Sequence, residues 1–199
     1  MIYFTADTHF GHKNIIKYCS RGAFKNDSAF RGGTQRLFND VEEMNETLVV
    51  NWNLIVGPDD EIWHLGDVAF LPKDKTLEIC QRLNGHKRLV MGNHDLKWKE
   101  EFWKEAGFVE VHKLGYGQML SVHGFNLCHY PYRKDLMAYD ERVYLHEHAP
   151  EGQFDTEVPI LLHGHVHTRW KTKFGQINIG VDIWNLKPVC IEKLRSIIT

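Results

Sequence analysis

Three times within its first hundred residues the chain repeats one local pattern: a short run rich in apolar, β-branched or aromatic residues, a small residue, then side chains of the kind that bind cations. Residues 2–6 (IYFTA) lead into Asp7-Thr8-His9, residues 61–65 (EIWHL) into Gly66-Asp67, and residues 87–91 (KRLVM) into Gly92-Asn93-His94-Asp95. Runs of this length and type read as strands, and a buried strand that stops in polar residues delivers them to one edge of its sheet. Residues 73–83 carry the helical spacing of Leu77, Cys80 and Leu83 and stop at Gly85; residues 96–106 read as another helix, stopped by Gly107. Beyond Gly107 the extended runs are shorter, at 109–112, 119–122, 125–129, 159–163 and 176–181, with a turn at Gly124-Phe125-Asn126. Strands separated by helices first and paired through turns later predict an α/β chain with mixed sheets.

The residues at the strand ends fit metal chemistry. Asp7 and His9 stand two apart in an extended segment, and so do His165 and His167 in LLHGHVH, so each pair points to one side and can chelate one ion. Histidine is in excess, 13 residues against 24 lysines and arginines, and imidazole is the commonest transition-metal ligand. Oxygen and nitrogen donors without thiolate favour Mn, Fe, Zn, Ni or Co over a structural zinc knot. Each short motif alone is a common turn; their joint occurrence in order, each after an expected strand, is what carries weight.

Taken together, DTH (Asp7, His9), GD (Asp67), GNHD (Asn93, His94, Asp95), the histidine of CHYP (His129) and GHVH (His165, His167) resemble the signature blocks of the calcineurin-like metallophosphoesterase superfamily. The resemblance implies a four-layer α-β-β-α sandwich with two mixed β-sheets and a two-metal site at the strand ends. It implies two divalent ions, manganese favoured, one held by Asp7, His9, Asp67 and His167 and the other by Asp67, Asn93, His129 and His165, with Asp67 bridging. It also implies hydrolysis of a phosphoester by attack of a metal-bridging hydroxide. His94 would protonate the leaving oxygen or stabilise the charge developing on it, and Asp95 would orient the His94 ring. His129 is preferred as the second-metal ligand, with His123 as its substitute. His163, the first imidazole of the triplet, falls outside the matched block and reads as a buried strand-end residue. His12 and Arg133 are candidates for contacting substrate phosphate.

The remaining properties narrow the function. A chain of 199 residues suits one domain, with segments about 19–39 and 134–156 reading as insertions. A net charge of −2 argues against a non-specific nucleic-acid coat, although Arg21, Lys25, Arg31 and Arg36 could form a local basic edge. Cys19, Cys80, Cys128 and Cys190 are widely spaced, as reduced thiols are, and neither an export signal nor a membrane span is evident, which points to the cytoplasm. The expected activity is therefore a metal-dependent phosphodiesterase acting on a small nucleotide or nucleic-acid-derived substrate. The alternatives are a phosphomonoesterase or nuclease with the same site, and least of all a non-catalytic scaffold.

Overall fold

The computed structural model of the chain describes residues 1–21, 38, 40–152 and 159–198. β1 (Ile2–Thr5), β2 (Glu61–His64) and β3 (His86–Val90) run parallel and in step, Thr5 opposite His64 and His64 opposite Leu89. β4 (Phe108–His112) continues this sheet in parallel beyond β3, and β10 (Val189–Cys190) closes its other edge antiparallel to β1. The second sheet has the order β5-β6-β7-β9-β8. In it β6 (Phe125–Leu127), β7 (Leu161–His163) and β9 (Gln176–Asn178) are parallel, flanked antiparallel by β5 (Leu120–Val122) and β8 (Thr172–Lys173). The protein is thus an α/β sandwich of two mixed sheets.

Alternation along the strands decides which layer each side chain joins. Tyr3, Ile62 and Leu89 face the helices, packing with Met44, Leu48, Val49 and Trp52 of α2 (Val41–Ile55), Ile79 and Cys80 of α3 (Lys73–Gln81), and Phe102 and Trp103 of α4 (Glu100–Glu105). Their neighbours Phe4, Trp63 and Val90 face the other way, against Phe125, Leu127, Leu162 and Ile177 of the second sheet. On the outer side of that sheet Leu161 joins Leu136 of α5 (Arg133–Met137) and Leu145 of α6 (Val143–His146). Burial on both faces explains why these strands carry apolar residues at successive positions. The short α1 (Ile15–Tyr18) follows the loop after β1, and α7 (Ile191–Ile198) ends the described chain, burying Ile191 and Leu194.

Several boundaries differ from the sequence reading. The expected helix over 96–106 is broken: a 3₁₀ turn spans Asp95–Lys97, Trp98 is extended (φ −123°, ψ 153°), and α4 begins only at Glu100. Asp95 and Lys97 are drawn inward, Lys97 donating to the Ala69 carbonyl (2.7 Å), and the Trp98 ring packs tilted against Phe102, centres 4.1 Å apart. The β5–β6 turn is His123-Gly124, one residue earlier than expected. Both residues have positive φ (53° and 84°), as a two-residue type I′ hairpin requires. α2 was not foreseen, though its signals were present: the Asp40 side chain accepts from the Glu43 amide (2.8 Å), and Met44, Leu48 and Trp52 follow at helical spacing. Of the expected insertions, 22–37, 39 and 153–156 lie outside the described residues, while 134–152 carries part of α5 and all of α6. Among the described residues no helix is long and apolar enough to cross a membrane.

Candidate metal centre

Because β1, β2 and β3 are parallel and in step, the loops that follow them emerge at one edge. The parallel strands β6, β7 and β9 do the same in the second sheet. The two edges meet where the Ala6 carbonyl accepts from the Val181 amide (3.0 Å). Asp7, Asp67 and Asn93 therefore approach from one sheet and His129, His165 and His167 from the other.

The side chains gather into two groups. Asp7, His9 and His167 form one, and Asp67, His129 and His165 the other, the donor atoms of each lying within 4.8 Å of one another. Ligand atoms each about 2.0–2.2 Å from one ion lie within about 4.4 Å of each other, so both groups are close to coordinating size. Between them stands Asp67, its Oδ2 3.6 Å from His9 Nε2 and 3.5 Å from His129 Nε2. These gaps exceed hydrogen-bonding distance. Both ring nitrogens of His9 and the Oδ1 of Asn93 are buried without a hydrogen-bond partner among the described residues. Buried polar atoms are rarely left so. At these positions the donor set fits a pair of divalent cations.

The other histidines each commit one nitrogen to the protein and turn the other inward. His129 Nδ1 donates to the Leu65 carbonyl (2.7 Å), and its Nε2 lies 3.2 Å from His165 Nδ1. His165 Nε2 pairs with Asp140 (3.2 Å), and His167 Nδ1 pairs with Asp182 (2.9 Å). A carboxylate or carbonyl behind an imidazole fixes its tautomer and orientation, as in metal sites generally. Burial raises Asp7 to about 6 and drives His9 well below the ordinary imidazole range. For Asp67 the penalty of burial is outweighed by the His129, His9 and His94 rings, which hold it well below the usual carboxylate value. For His129 burial is likewise outweighed, by Asp67, and the ring is held up at about 9.

The loops that present these groups are tightly built. Asp7, His9, Asp67, His165 and His167 all have left-handed backbone, with φ between 48° and 70°. This region is costly for residues other than glycine. Gly92 and Gly164 allow the close approach: a Cβ on Gly92 would lie 2.4 Å from Asp67 Oδ1, and one on Gly164 2.6 Å from Asp7 Oδ2.

Sequence reasoning missed the residues that brace this arrangement. Buried Arg21 donates to the Asp7 and Thr8 carbonyls and pairs through Nε with Asp182 Oδ1 (2.6 Å), so it is an internal strut and no part of a basic edge. Lys25, Arg31 and Arg36 lie outside the described residues. Asp182 could have been found, since Gly180-Val181-Asp182 after β9 again sets a carboxylate shortly after a strand and a small residue. Asp140 carried no such signal. Cys19, a buried thiol, approaches His167 and Asp182.

Other expectations resolve by placement. His123 pairs with Glu61 (2.7 Å) on the hairpin turn, outside both groups, whereas His129 lies in the second. His163 is fully buried, its Nδ1 directed to the Gly164 carbonyl (2.8 Å), and joins neither group. His94 lies at the rim of the site, its Nε2 4.0 Å from Asp67 Oδ2, and burial lowers its pKa. His12 stacks on Phe70 (4.2 Å), its ring 5.4 Å from that of His9. Two residues are placed otherwise than expected. Asp95 does not stand behind the His94 ring. Its carboxylate accepts from the Asp67, Val68 and Gly92 amides (2.7–2.9 Å), clamping the two loops together. Burial and the nearby Asp67 push it up to about 7 against the pull of those amides. Arg133 is no phosphate clamp: it pairs with Glu151 and donates to the His146 carbonyl (2.9 Å).

The fold and the site together define an α/β sandwich with a histidine–carboxylate cluster where the strand ends of its two sheets meet. No protein-family model matches the chain. It is 32% identical to the uncharacterized protein MJ1445 of Methanocaldococcus jannaschii across 99% of its own length and 90% of that protein, and it belongs to the same family. It is 26% identical to the gene 66 protein of Mycobacterium phage L5, over 92% of this chain and 86% of the phage protein. The crystal structure of a protein of unknown function, AQ665 from Aquifex aeolicus, matches it with a TM-score of 0.62 and 26% identity, covering 99% of this chain and 98% of that one.

Proposed function

We propose that the protein is a calcineurin-like metallophosphoesterase, a two-metal hydrolase that prefers phosphodiesters. The observation that carries the proposal is the place of Asp67 Oδ2, 3.6 Å from His9 Nε2 and 3.5 Å from His129 Nε2, beside the unpartnered nitrogens of His9 and Oδ1 of Asn93. A carboxylate so placed could be shared by two cations. Asp7, His9, Asp67 and His167 would hold one ion, and Asp67, Asn93, His129 and His165 the other, manganese favoured. When bound, the ions supply positive charge for the phosphoryl oxygens and lower the pKa of water.

The chain's own groups do the rest. Asp140 and Asp182 keep His165 and His167 turned toward the site, Arg21 and Asp95 hold the loops, and His94, at the rim, would meet the departing oxygen. Only the imidazolium form of His94 can give up a proton to it; burial disfavours that form and the neighbouring Asp67 carboxylate favours it. General acid assistance is commonly worth about 10²–10⁴ in rate, which matters most for the poor leaving group of an alkyl diester. The buried placement of Arg21 removes one residue of the basic edge on which a nuclease reading rests.

The test is to quantify bound metal, then compare hydrolysis of bis-p-nitrophenyl phosphate, p-nitrophenyl phosphate and 2′,3′- and 3′,5′-cyclic nucleotides under Mn, Ni and Zn. Metal-dependent turnover with the diesters fastest is expected. Full loading of both positions without turnover of any ester would remove the enzyme reading.

A further inference from the structure

Beside the second group of ligands a narrow cleft opens, sharing Gly92 and His129 with the site. Leu96, Leu114, Tyr130 and His148 line it together with Lys113. Its outer part is aromatic. Tyr116 stacks on His148 with ring centres 4.6 Å apart and planes at 28°, and His148 in turn lies 6.2 Å from Tyr130 at 30°. Tyr130 sits edge-on to the two ligand histidines, 4.9 Å from His129 and 5.0 Å from His165. A series of rings thus leads from the metal positions to the surface, where Tyr116 is 67% exposed. Lys113, in the wall of the cleft, is exposed and makes no ion pair among the described residues.

We infer that this cleft and the Tyr116–His148 stack bind the nucleoside part of a nucleotide substrate whose phosphorus lies at the metals, with Lys113 meeting a second anionic group on the same molecule. A nucleobase presents a planar face to aromatic rings whatever its identity, and stacking of this kind gives affinity without base readout. The cation answers the further phosphate that a nucleotide carries. His129 lies both in the wall of the cleft and among the ligands, so ring and phosphate belong to one bound molecule. The inference rests on the phosphodiesterase reading of the neighbouring cluster.

Calorimetric binding to the manganese-loaded full chain tests it, with inorganic phosphate, ribose 5-phosphate, adenosine 5′-monophosphate and adenosine 3′,5′-bisphosphate as probes. The monophosphate is expected to bind about tenfold or more tighter than ribose 5-phosphate, a preference lost in Tyr116→Ala. The bisphosphate is expected to bind about fivefold tighter still, a gain lost in Lys113→Gln. Inorganic phosphate is expected to bind all three proteins alike. Both substituted side chains are exposed, so the variants keep the fold. Equal affinity for ribose 5-phosphate and the monophosphate, or a preference that survives Tyr116→Ala, overturns the inference while the metallophosphoesterase reading stands. Loss of manganese-dependent phosphate binding in every protein, with the Tyr116-dependent preference intact, overturns that reading and leaves the nucleoside site. Absence of binding by any probe overturns both.

Discussion

Removing Asp182 exposes how the site is braced. Its side chain is 0% exposed, and its partner Arg21 is 1% exposed. Asp182→Ala leaves a buried guanidinium without its counter-charge, a loss worth about 3–5 kcal/mol. At about 2–4 °C per kcal/mol for a chain of this length, Tm falls by roughly 6–20 °C. Asp182→Asn retains an acceptor but not the charge and is expected to lose less stability, while affinity at the position held by His167 falls about 10- to 100-fold. Thermal melts in the presence of chelator measure the first effect apart from metal, and calorimetric titration with Mn²⁺ measures the second. The double variant Arg21→Met/Asp182→Ala removes the stranded charge and is expected to recover part of the lost stability. A melt of Asp182→Ala within about 2 °C of the parent, or a double variant no better than the single, would refute the reasoning.

Saturating Mn²⁺, at about 100 times its Kd, is expected to stabilise the chain by about 2.7 kcal/mol, a rise in Tm of roughly 5–10 °C that Asp67→Ala abolishes. His94→Gln is expected to keep its full complement of metal by elemental analysis yet lose about 10²–10⁴ in turnover of alkyl diesters; full activity on a poor leaving group would remove His94 from the chemistry. Glu61 is part buried, and its carboxylate is held below the usual value because His123, Trp63 and Arg88 outweigh the effect of burial. Its contribution is present above the unfolded value of about 4.3 and lost as pH falls through the folded one. Solvent limits it to under about 1 kcal/mol. Urea midpoints of the parent are expected to fall more steeply between about pH 5 and 3 than those of Glu61→Gln.

What was legible in the chain was what depends on local order. The strands that end in Asp7, Asp67 and Asn93 announce themselves by composition and by the glycine that follows two of them, and their parallel register then forces those residues together. His129 over His123 was readable for a similar reason, since one ends a strand and the other turns a hairpin. What depends on approach from a distant segment was not legible. Asp140 meets His165 across 25 positions of sequence and Arg21 reaches Asp182 across 161, so neither leaves a local trace. Asp95 misled because it adjoins His94, and adjacency suggested a pair. In the fold its carboxylate is drawn instead to three converging amides, which also breaks the helix expected to start there.

The left-handed backbone at Asp7, His9, Asp67, His165 and His167 bears on why these residues are present at all. At such positions glycine fits at little steric cost, and aspartate or histidine holds the conformation only because its surroundings compel it. Glycine there would relieve the backbone but would leave the His165 and His94 amides without the Asp7 and Asp67 carboxylates they donate to. Five such residues on one small surface gather backbone strain where the metal-type side chains converge, as strained conformations do at functional sites.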